Sequence, residues 1–152
     1  MKTAIFYFSK HHGNTKKILD AIATKYDVDL IDSSQQQPVD ISQYDRIGLA
    51  SGIYVSKFGK AMYPIVESLD LAGKEYFLIY TYGMKRSVYG QDIREIADKS
   101  GGRFVGEYGC LGWDTVGPLK AVGGIAKNHP DDTEIAECVR WYASILPESQ
   151  IR

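Results

Sequence analysis

Short apolar runs alternate along the chain with segments of helical periodicity, and this alternation constrains the fold more than any other feature. Runs rich in β-branched and aromatic residues predict five strands, at residues 3–8, 28–31, 46–50, 75–81 and 103–110. Segments with apolar residues along one helical face predict four helices, at residues 14–26, 61–69, 89–100 and 133–145. The fourth strand is a nearly continuous apolar run, which is typical of a strand that a sheet buries on both faces.

Strands that alternate with helices in this way predict a parallel sheet covered by helices on both faces. We therefore expect an α/β protein, a three-layer sandwich with a five-stranded parallel sheet. The 152 residues contain no internal repeat and no segment with the composition of a linker. A chain of this length is typical of one domain, so we expect a single domain over residues 1–152.

Composition and charge exclude several classes of protein. Eighteen Lys and Arg residues stand against nineteen Asp and Glu, a net charge of −1, whereas nucleic-acid and membrane-surface binders need clustered positive charge. The apolar run at residues 3–8 is too short for a secretory signal, and no segment approaches the ~20 apolar residues of a membrane span. Cys110 and Cys138 are too few for a disulfide scaffold. We expect a cytoplasmic protein with reduced thiols, no membrane span and no nucleic-acid partner.

In parallel sheets of this type, ligands bind beyond the carboxyl ends of the strands. Four connections are therefore candidates for the site, at residues 9–15, 51–58, 81–88 and 111–132. The first reads Ser-Lys-His-His-Gly-Asn-Thr and lies between a strand and a helix. Its glycine permits a tight turn, its hydroxyls and amide can bond to an anion, and the helix start adds free N–H groups. The loop fits a phosphate site, and it also fits a capped helix start with solvated lysines. Neither a Walker A loop nor a G-x-G-x-x-G motif occurs in the chain.

A strand followed by Ser-x-x-x-Gly-Asn-Thr and a helix resembles the loop that binds the phosphate of FMN in the flavodoxin family. The resemblance continues with Ser-Gly-Ile-Tyr at 51–54, Thr-Tyr-Gly at 81–83 and Cys-Leu-Gly-Trp-Asp-Thr at 110–115. It covers nearly the whole chain, with four matching loops in the same order on the same elements. It implies the flavodoxin-like strand order 2-1-3-4-5 and FMN as the cofactor.

The resemblance also implies which residues contact FMN. The phosphate would lie in the first loop, among Ser9, Lys10, His11, His12, Gly13, Asn14 and Thr15. One side of the isoalloxazine would be bordered by Ser51, Gly52, Ile53 and Tyr54, and its other edge by Thr81, Tyr82, Gly83 and Met84. Further neighbours would be Trp113 and Asp114. No catalytic residue is predicted. No metal site is predicted either, because the three histidines and two thiols lack ligand spacing.

Three features depart from the family pattern. Basic residues occupy part of the phosphate loop, the net charge of −1 contrasts with the strongly acidic electron carriers of the family, and the connection at 111–132 is long. Loops of this length are often functional. A phosphoacceptor signalling domain, which shares the architecture, is rejected because its acidic residues are absent after the first and third strands, where Ser9-Lys10 and Ser51-Gly52 stand.

Two functions follow from the resemblance. The first is an FMN-binding electron carrier that shuttles electrons between redox partner proteins. The alternative is an FMN-dependent oxidoreductase, similar to a quinone reductase or a protoporphyrinogen oxidase, in which residues 111–132 form a substrate pocket. A relative that has lost its cofactor is a third possibility. The sequence predicts no oligomeric state.

Overall fold

The computed structural model describes residues 1–10, 12–35, 38–85, 89–115 and 117–150. Within them lie six strands: β1 (Thr3–Phe8), β2 (Val28–Asp32), β3 (Arg46–Tyr54), β4 (Lys57–Phe58), β5 (Glu75–Tyr82) and β6 (Arg103–Leu111). The α-helices of the described residues are α1 (Asn14–Lys25), α2 (Met62–Ser68), α3 (Gln91–Lys99) and α4 (Asp132–Ser144). Each of the nine elements predicted from the sequence is present.

The main sheet is parallel and has the strand order β2-β1-β3-β5-β6. This is the predicted order 2-1-3-4-5 once the additional short strand β4 is counted separately. The sheet carries helices on both faces, so the prediction of a three-layer α/β sandwich is confirmed. The carboxyl ends of β1, β3 and β5 lie side by side, which brings the loops that follow them to one edge.

The third strand is longer than predicted. The sequence indicated a strand at 46–50 and a loop from residue 51, whereas β3 continues to Tyr54 and turns back through β4. Ile53 pairs with Phe58 and Tyr54 pairs with Lys57 in an antiparallel hairpin. The extension has a tertiary cause, because the buried Ser51 hydroxyl accepts a hydrogen bond from the Gly59 amide and holds the hairpin closed.

Alternation along the strands divides the core between the two faces of the sheet. On one face, Phe6 of β1 and Leu78 of β5 belong to the cluster that packs under α2 and α3. On the other face, Ile5 and Phe77 belong to the cluster under α1 and α4. All four side chains are buried. Among the described residues, no helix has both the length and the apolar character needed to cross a membrane.

The side chain of Asp131 caps the start of α4. The Asp131 carboxylate accepts a hydrogen bond from the Glu134 amide at 2.8 Å, and the Glu134 carboxylate accepts one from the Asp131 amide at 3.3 Å. This reciprocal capping box satisfies two N–H groups that a helix start would otherwise leave unpaired. It also ends the long connection at a defined point.

Candidate functional site

A pocket opens at the carboxyl edge of the sheet, where the four candidate loops meet. Its lining consists of Ser9, Asn14, Thr15, Gly52, Ile53, Tyr54, Thr81, Tyr82, Gly83, Gly112, Trp113 and Asp114. All but Gly112 are among the predicted site residues. The fold therefore brings together residues from all four loops at the edge where a doubly wound sheet binds its ligand.

Some predicted residues lie outside this lining. Met84 lines a second pocket that adjoins the first. The side chain of Lys10 is exposed, and Gly13 acts through its backbone. Ser51 is fully buried, where it donates to the Gly52 carbonyl at 2.6 Å and accepts from the Gly59 amide at 2.8 Å. His11 lies outside the described residues.

The loop after β1 has a backbone suited to an anion. His12 and Gly13 both adopt left-handed conformations, with φ of 53° and 64°, and α1 begins directly afterwards at Asn14. Successive left-handed and helical residues turn neighbouring amides toward one point, and the helix N-terminus adds its partial positive charge. The Ser9 hydroxyl accepts a hydrogen bond from the Lys16 amide at 3.1 Å, which holds the strand end against the helix.

Asn14 and Thr15 connect this loop to two others. The Asn14 side-chain amide donates to the Trp113 carbonyl at 2.8 Å, and the Thr15 hydroxyl shares a 2.9 Å hydrogen bond with the Thr81 hydroxyl. Asn14 and both threonines are buried. The side-chain oxygen of Asn14 has no hydrogen-bond partner among the described residues. A buried acceptor of this kind is costly unless a donor, from a ligand or from water, reaches it.

Tyr54 covers the pocket from the hairpin side. Its ring packs edge-on against Phe8, with centroids 5.7 Å apart, and lies so close over Gly52 that a Cβ there would be 2.9 Å from the phenol oxygen. The phenol oxygen accepts a hydrogen bond from the Lys10 amide at 3.1 Å. Tyr54 thus spans the entrance between β3 and the loop after β1.

The second pocket is mainly apolar and shares one wall with the first. The shared residues are Ile53, Tyr82, Gly83 and Asp114, and the others are Val55, Ser56, Met84, Tyr89, Leu119 and Ile125. The rings of Tyr82 and Tyr89 lie 5.6 Å apart at a tilt of 34°. Burial raises the pKa of Tyr82, with smaller effects from Cys110 and Glu134, so its phenol stays neutral at physiological pH. Such walls suit a flat, largely apolar ligand.

The long connection after β6 packs back onto the site. Trp113 stacks on His12, with ring centroids 3.7 Å apart and planes 16° from parallel. The His12 ring also shares a 3.1 Å hydrogen bond with the Thr115 hydroxyl. Asp114 and Ile125 exchange two backbone hydrogen bonds, of 2.9 and 2.8 Å, which close the connection into a loop. Trp113 and Asp114, predicted as neighbours of the site, therefore lie in its lining.

Gly112 is the lining residue of the first pocket that sequence reasoning missed. The second pocket adds further residues that were not predicted, Val55, Ser56, Tyr89, Leu119 and Ile125. The Gly112 amide donates to the Tyr82 carbonyl at 2.8 Å, and a Cβ at this position would lie 2.8 Å from the side-chain nitrogen of Asn14. Only a glycine allows this approach without a shift of Asn14. The sequence signal that could have identified Gly112 as a site residue is its position directly before Trp113, which was predicted.

A second cluster lies at the start of α4. The possible metal-ligand atoms of His129, Asp131 and Glu134 lie within 4.8 Å of one another. The spacing of these residues along the sequence did not predict this cluster. Each group already has a structural partner: Glu134 accepts from the Leu111 amide at 3.1 Å and also contacts His129, and Asp131 caps the helix. Burial raises the pKa of the nearby Cys110 thiol, and the Glu134 charge raises it further, so this thiol remains protonated. The cluster fixes the end of the long connection.

Comparison with known proteins agrees with this architecture. The profile of a flavodoxin domain matches residues 4–112. A protein of Methanocaldococcus jannaschii described as uncharacterized is 34% identical over 148 residues, 96% of this chain and 99% of that protein. The chain therefore belongs to the flavodoxin domain family.

Solved structures show the same fold at low sequence identity. A flavodoxin from the domain Archaea superposes with a TM-score of 0.69 at 20% identity, covering 95% of this chain and 96% of that one. A Fusobacterium nucleatum flavodoxin mutant bound to flavin mononucleotide superposes with a TM-score of 0.67 at 17% identity, covering 100% of this chain and 98% of that one. The Trp repressor binding protein of Bacillus subtilis superposes with a TM-score of 0.67 at 14% identity, covering 97% of this chain and 99% of that one.

Proposed function

We propose that the protein binds FMN noncovalently at the two adjoining pockets and transfers electrons between redox partner proteins. The observation that carries this proposal is the juxtaposition, at one edge of the sheet, of a helix start suited to an anion, a buried acceptor without a partner among the described residues, and an aromatic pocket. FMN presents a phosphate, a hydroxylated ribityl chain and a flat ring.

The phosphate fits the loop between β1 and α1. Left-handed backbone at His12 and Gly13 directs amides toward the anion, and the hydroxyls of Ser9 and Thr15 lie beside it. Lys10 adds a positive charge to this loop. A dianion at this helix start is stabilised both by the orphan N–H groups and by the helix dipole.

The ribityl chain fits the middle of the site. The buried side-chain oxygen of Asn14 accepts no hydrogen bond from the described residues, and a ribityl hydroxyl would donate one. Thr15 and Thr81 lie beside it and already share a hydrogen bond, so they form a rigid floor. This is the part of the site that distinguishes a hydroxylated ligand from a bare phosphate.

The ring fits the second pocket. Tyr82, Met84 and Tyr89 supply its apolar walls, and Gly83 allows the backbone to approach the ring edge. Bound FMN would supply the capacity to accept and donate single electrons. The chain supplies apolar surroundings that disfavour added negative charge on the ring and thereby set its potential.

An FMN-dependent oxidoreductase is the second candidate. The observation in its favour is that Leu119 and Ile125 of the long connection line the second pocket, so this connection adds apolar surface where a flat organic substrate would meet the ring. The two candidates share the FMN site and differ in whether a small molecule is turned over.

The test uses the purified protein mixed with excess FMN and then desalted. We expect about one FMN retained per chain, and slow oxidation of NADH or NADPH when a soluble quinone is the acceptor. Loss of all flavin on desalting would contradict the proposal. Retained flavin with rapid turnover of NADPH and quinone would replace the carrier function with the oxidoreductase.

A further inference from the structure

The loops around the two pockets carry an excess of positive charge that the whole chain does not have. The described residues of segments 9–13, 55–61, 83–85 and 112–132 include six lysines and three carboxylates, Asp114, Asp131 and Asp132. The lysines are Lys10, Lys57, Lys60, Lys85, Lys120 and Lys127. These segments therefore carry +3, whereas the whole chain carries −1, so the remainder carries −4. We call these six lysines the basic rim.

The basic rim is exposed to solvent at all six positions. Within the described part of the chain, none of its lysines lies within 4.0 Å of a carboxylate, in contrast to Lys2 and Lys16, which pair with Asp29 and Asp20. Lys127 lies 5.7 Å above the Trp113 ring. Like charges held together without counter-ions raise the local positive potential, so this edge of the molecule attracts anionic groups.

Exposed apolar side chains lie on the same segments as the basic rim. Val55, Met84 and Val122 are 87%, 51% and 76% exposed, and of the four large apolar residues with high exposure among the described residues, only Met1 lies elsewhere. Val55 is held at the tip of the β3–β4 hairpin with φ of 51°, a conformation that β-branched residues rarely adopt. Val55 and Met84 also line the second pocket.

We propose that this edge, with its exposed apolar residues and basic rim, is the docking surface for an acidic protein that exchanges electrons with the site. Exposed apolar residues beside charged ones are typical of a protein–protein interface, whereas a nucleic-acid backbone offers no counterpart to Val55, Met84 and Val122. Opposite charge steers the partner toward the pocket and orients it there. The electron-transfer role of the surface rests on the proposed function, but the docking itself does not require FMN.

The test compares two probe proteins and two matched variants. The probe proteins are a [2Fe–2S] ferredoxin chosen for a strongly acidic surface and a cytochrome c chosen for a strongly basic one, and a DNA duplex is measured beside them. The rim variant combines Lys57→Gln, Lys85→Gln and Lys120→Gln. The control variant combines Lys25→Gln, Lys99→Gln and Arg140→Gln, which removes the same charge from helices outside the rim. Dissociation constants are measured at low and moderate salt, with and without FMN.

We expect the ferredoxin to bind the unmodified protein, and to bind more weakly as salt rises from about 50 to 200 mM. The rim variant should bind it about tenfold more weakly and with less salt dependence, whereas the control variant should change by less than about twofold. Equal weakening by both variants, preference for cytochrome c, or tighter binding of a DNA duplex than of the ferredoxin would overturn the docking surface. FMN retention is measured on the same samples, so docking without retained FMN would contradict the proposed function and leave this surface standing.

Discussion

The side chain of Asn14 donates a 2.8 Å hydrogen bond to the carbonyl of Trp113, while its own oxygen stays buried without a partner among the described residues. One residue thus joins the start of α1 to the long connection and presents an acceptor to the pocket. Because one side-chain amide has both roles, we expect a substitution of Asn14 to change both ligand binding and the stability of the fold.

Asn14→Ala should weaken FMN binding about tenfold, since it removes an acceptor for a ribityl hydroxyl. It should also lower the free energy of unfolding by ~1 kcal/mol, because the Trp113 carbonyl loses its donor. Flavin titration and urea unfolding measure the two effects. Gln91→Ala, at an exposed position, is the control and should change neither. Unchanged FMN affinity in Asn14→Ala would remove Asn14 from the proposed site.

Gly13→Val and Gly73→Val form a matched pair. Both glycines have positive φ, 64° and 76°, and an added Cβ would meet no atom within 4 Å at either position. Each substitution should therefore cost a similar ~1–2 kcal/mol of stability through backbone strain alone. Only Gly13→Val should weaken FMN binding, by more than about tenfold, because only Gly13 lies in the loop before α1. Equal FMN affinities in the two variants would contradict a phosphate site at this loop.

Thr15 and Thr81 share a buried hydrogen bond of 2.9 Å between their hydroxyls. Thr15→Val leaves the Thr81 hydroxyl unpaired and should cost ~1–3 kcal/mol. The double variant Thr15→Val with Thr81→Val should cost less than the sum of the two single variants, since no unpaired hydroxyl remains. Urea unfolding of the four proteins gives the coupling energy. A coupling of zero would mean that the two hydroxyls contribute independently to the stability of the pocket floor.

Alkaline pH should destabilise the protein in a defined window. Burial raises the pKa of Tyr44 from 10.0 to about 12, with further contributions from the hydrogen bond to Asp29 and from its charge, and burial raises the pKa of Tyr80 to about 12. A tyrosine whose pKa is higher in the folded than in the unfolded protein contributes its full stabilisation below pH 10, the ordinary pKa of the phenol. This contribution is lost as the pH rises through about 12, the pKa in the folded protein. Unfolding by urea at a series of pH values measures the decline. Tyr44→Phe should make it shallower, and an unchanged slope in that variant would contradict the assignment to Tyr44.

Much of the fold could be predicted from local sequence patterns, because buried positions in strands and helices carry apolar residues at a regular spacing. The mainly apolar run at 75–81 predicted a strand buried on both faces, and β5 lies between two neighbours in the sheet with both faces covered. The glycine at position 13 predicted a tight turn before a helix, and its φ of 64° provides one. In these places the local preference and the tertiary structure agree.

The hairpin of β3 and β4 could not be predicted in the same way. Its two turn residues, Val55 and Ser56, both have positive φ, yet neither is the Asn, Asp or Gly that marks such turns in a sequence. The hairpin depends instead on the hydrogen bond between Ser51 and Gly59 and on the burial of Phe58. These are tertiary contacts, and a strand of two residues is too short to show a period.

The contacts that hold the long connection against the site could not be predicted from the sequence either. Trp113 reaches the site by stacking on His12, and Asp114 reaches it by pairing with Ile125. Both contacts join residues that are distant along the chain or lie in an irregular loop, where no periodic pattern predicts a partner. The resemblance to a family placed Trp113 and Asp114 near the site, and the reason they lie there is visible only in the fold.

The most direct test of the FMN site is a fluorescence titration of FMN with the flavin-free protein, using riboflavin for comparison. The two ligands share the ring and the ribityl chain and differ only in the phosphate. We expect FMN fluorescence to be quenched with micromolar or tighter affinity, and riboflavin to bind at least about tenfold more weakly, because the helix start before Asn14 holds the phosphate. Equal affinities for the two ligands, or no quenching of FMN, would contradict the account.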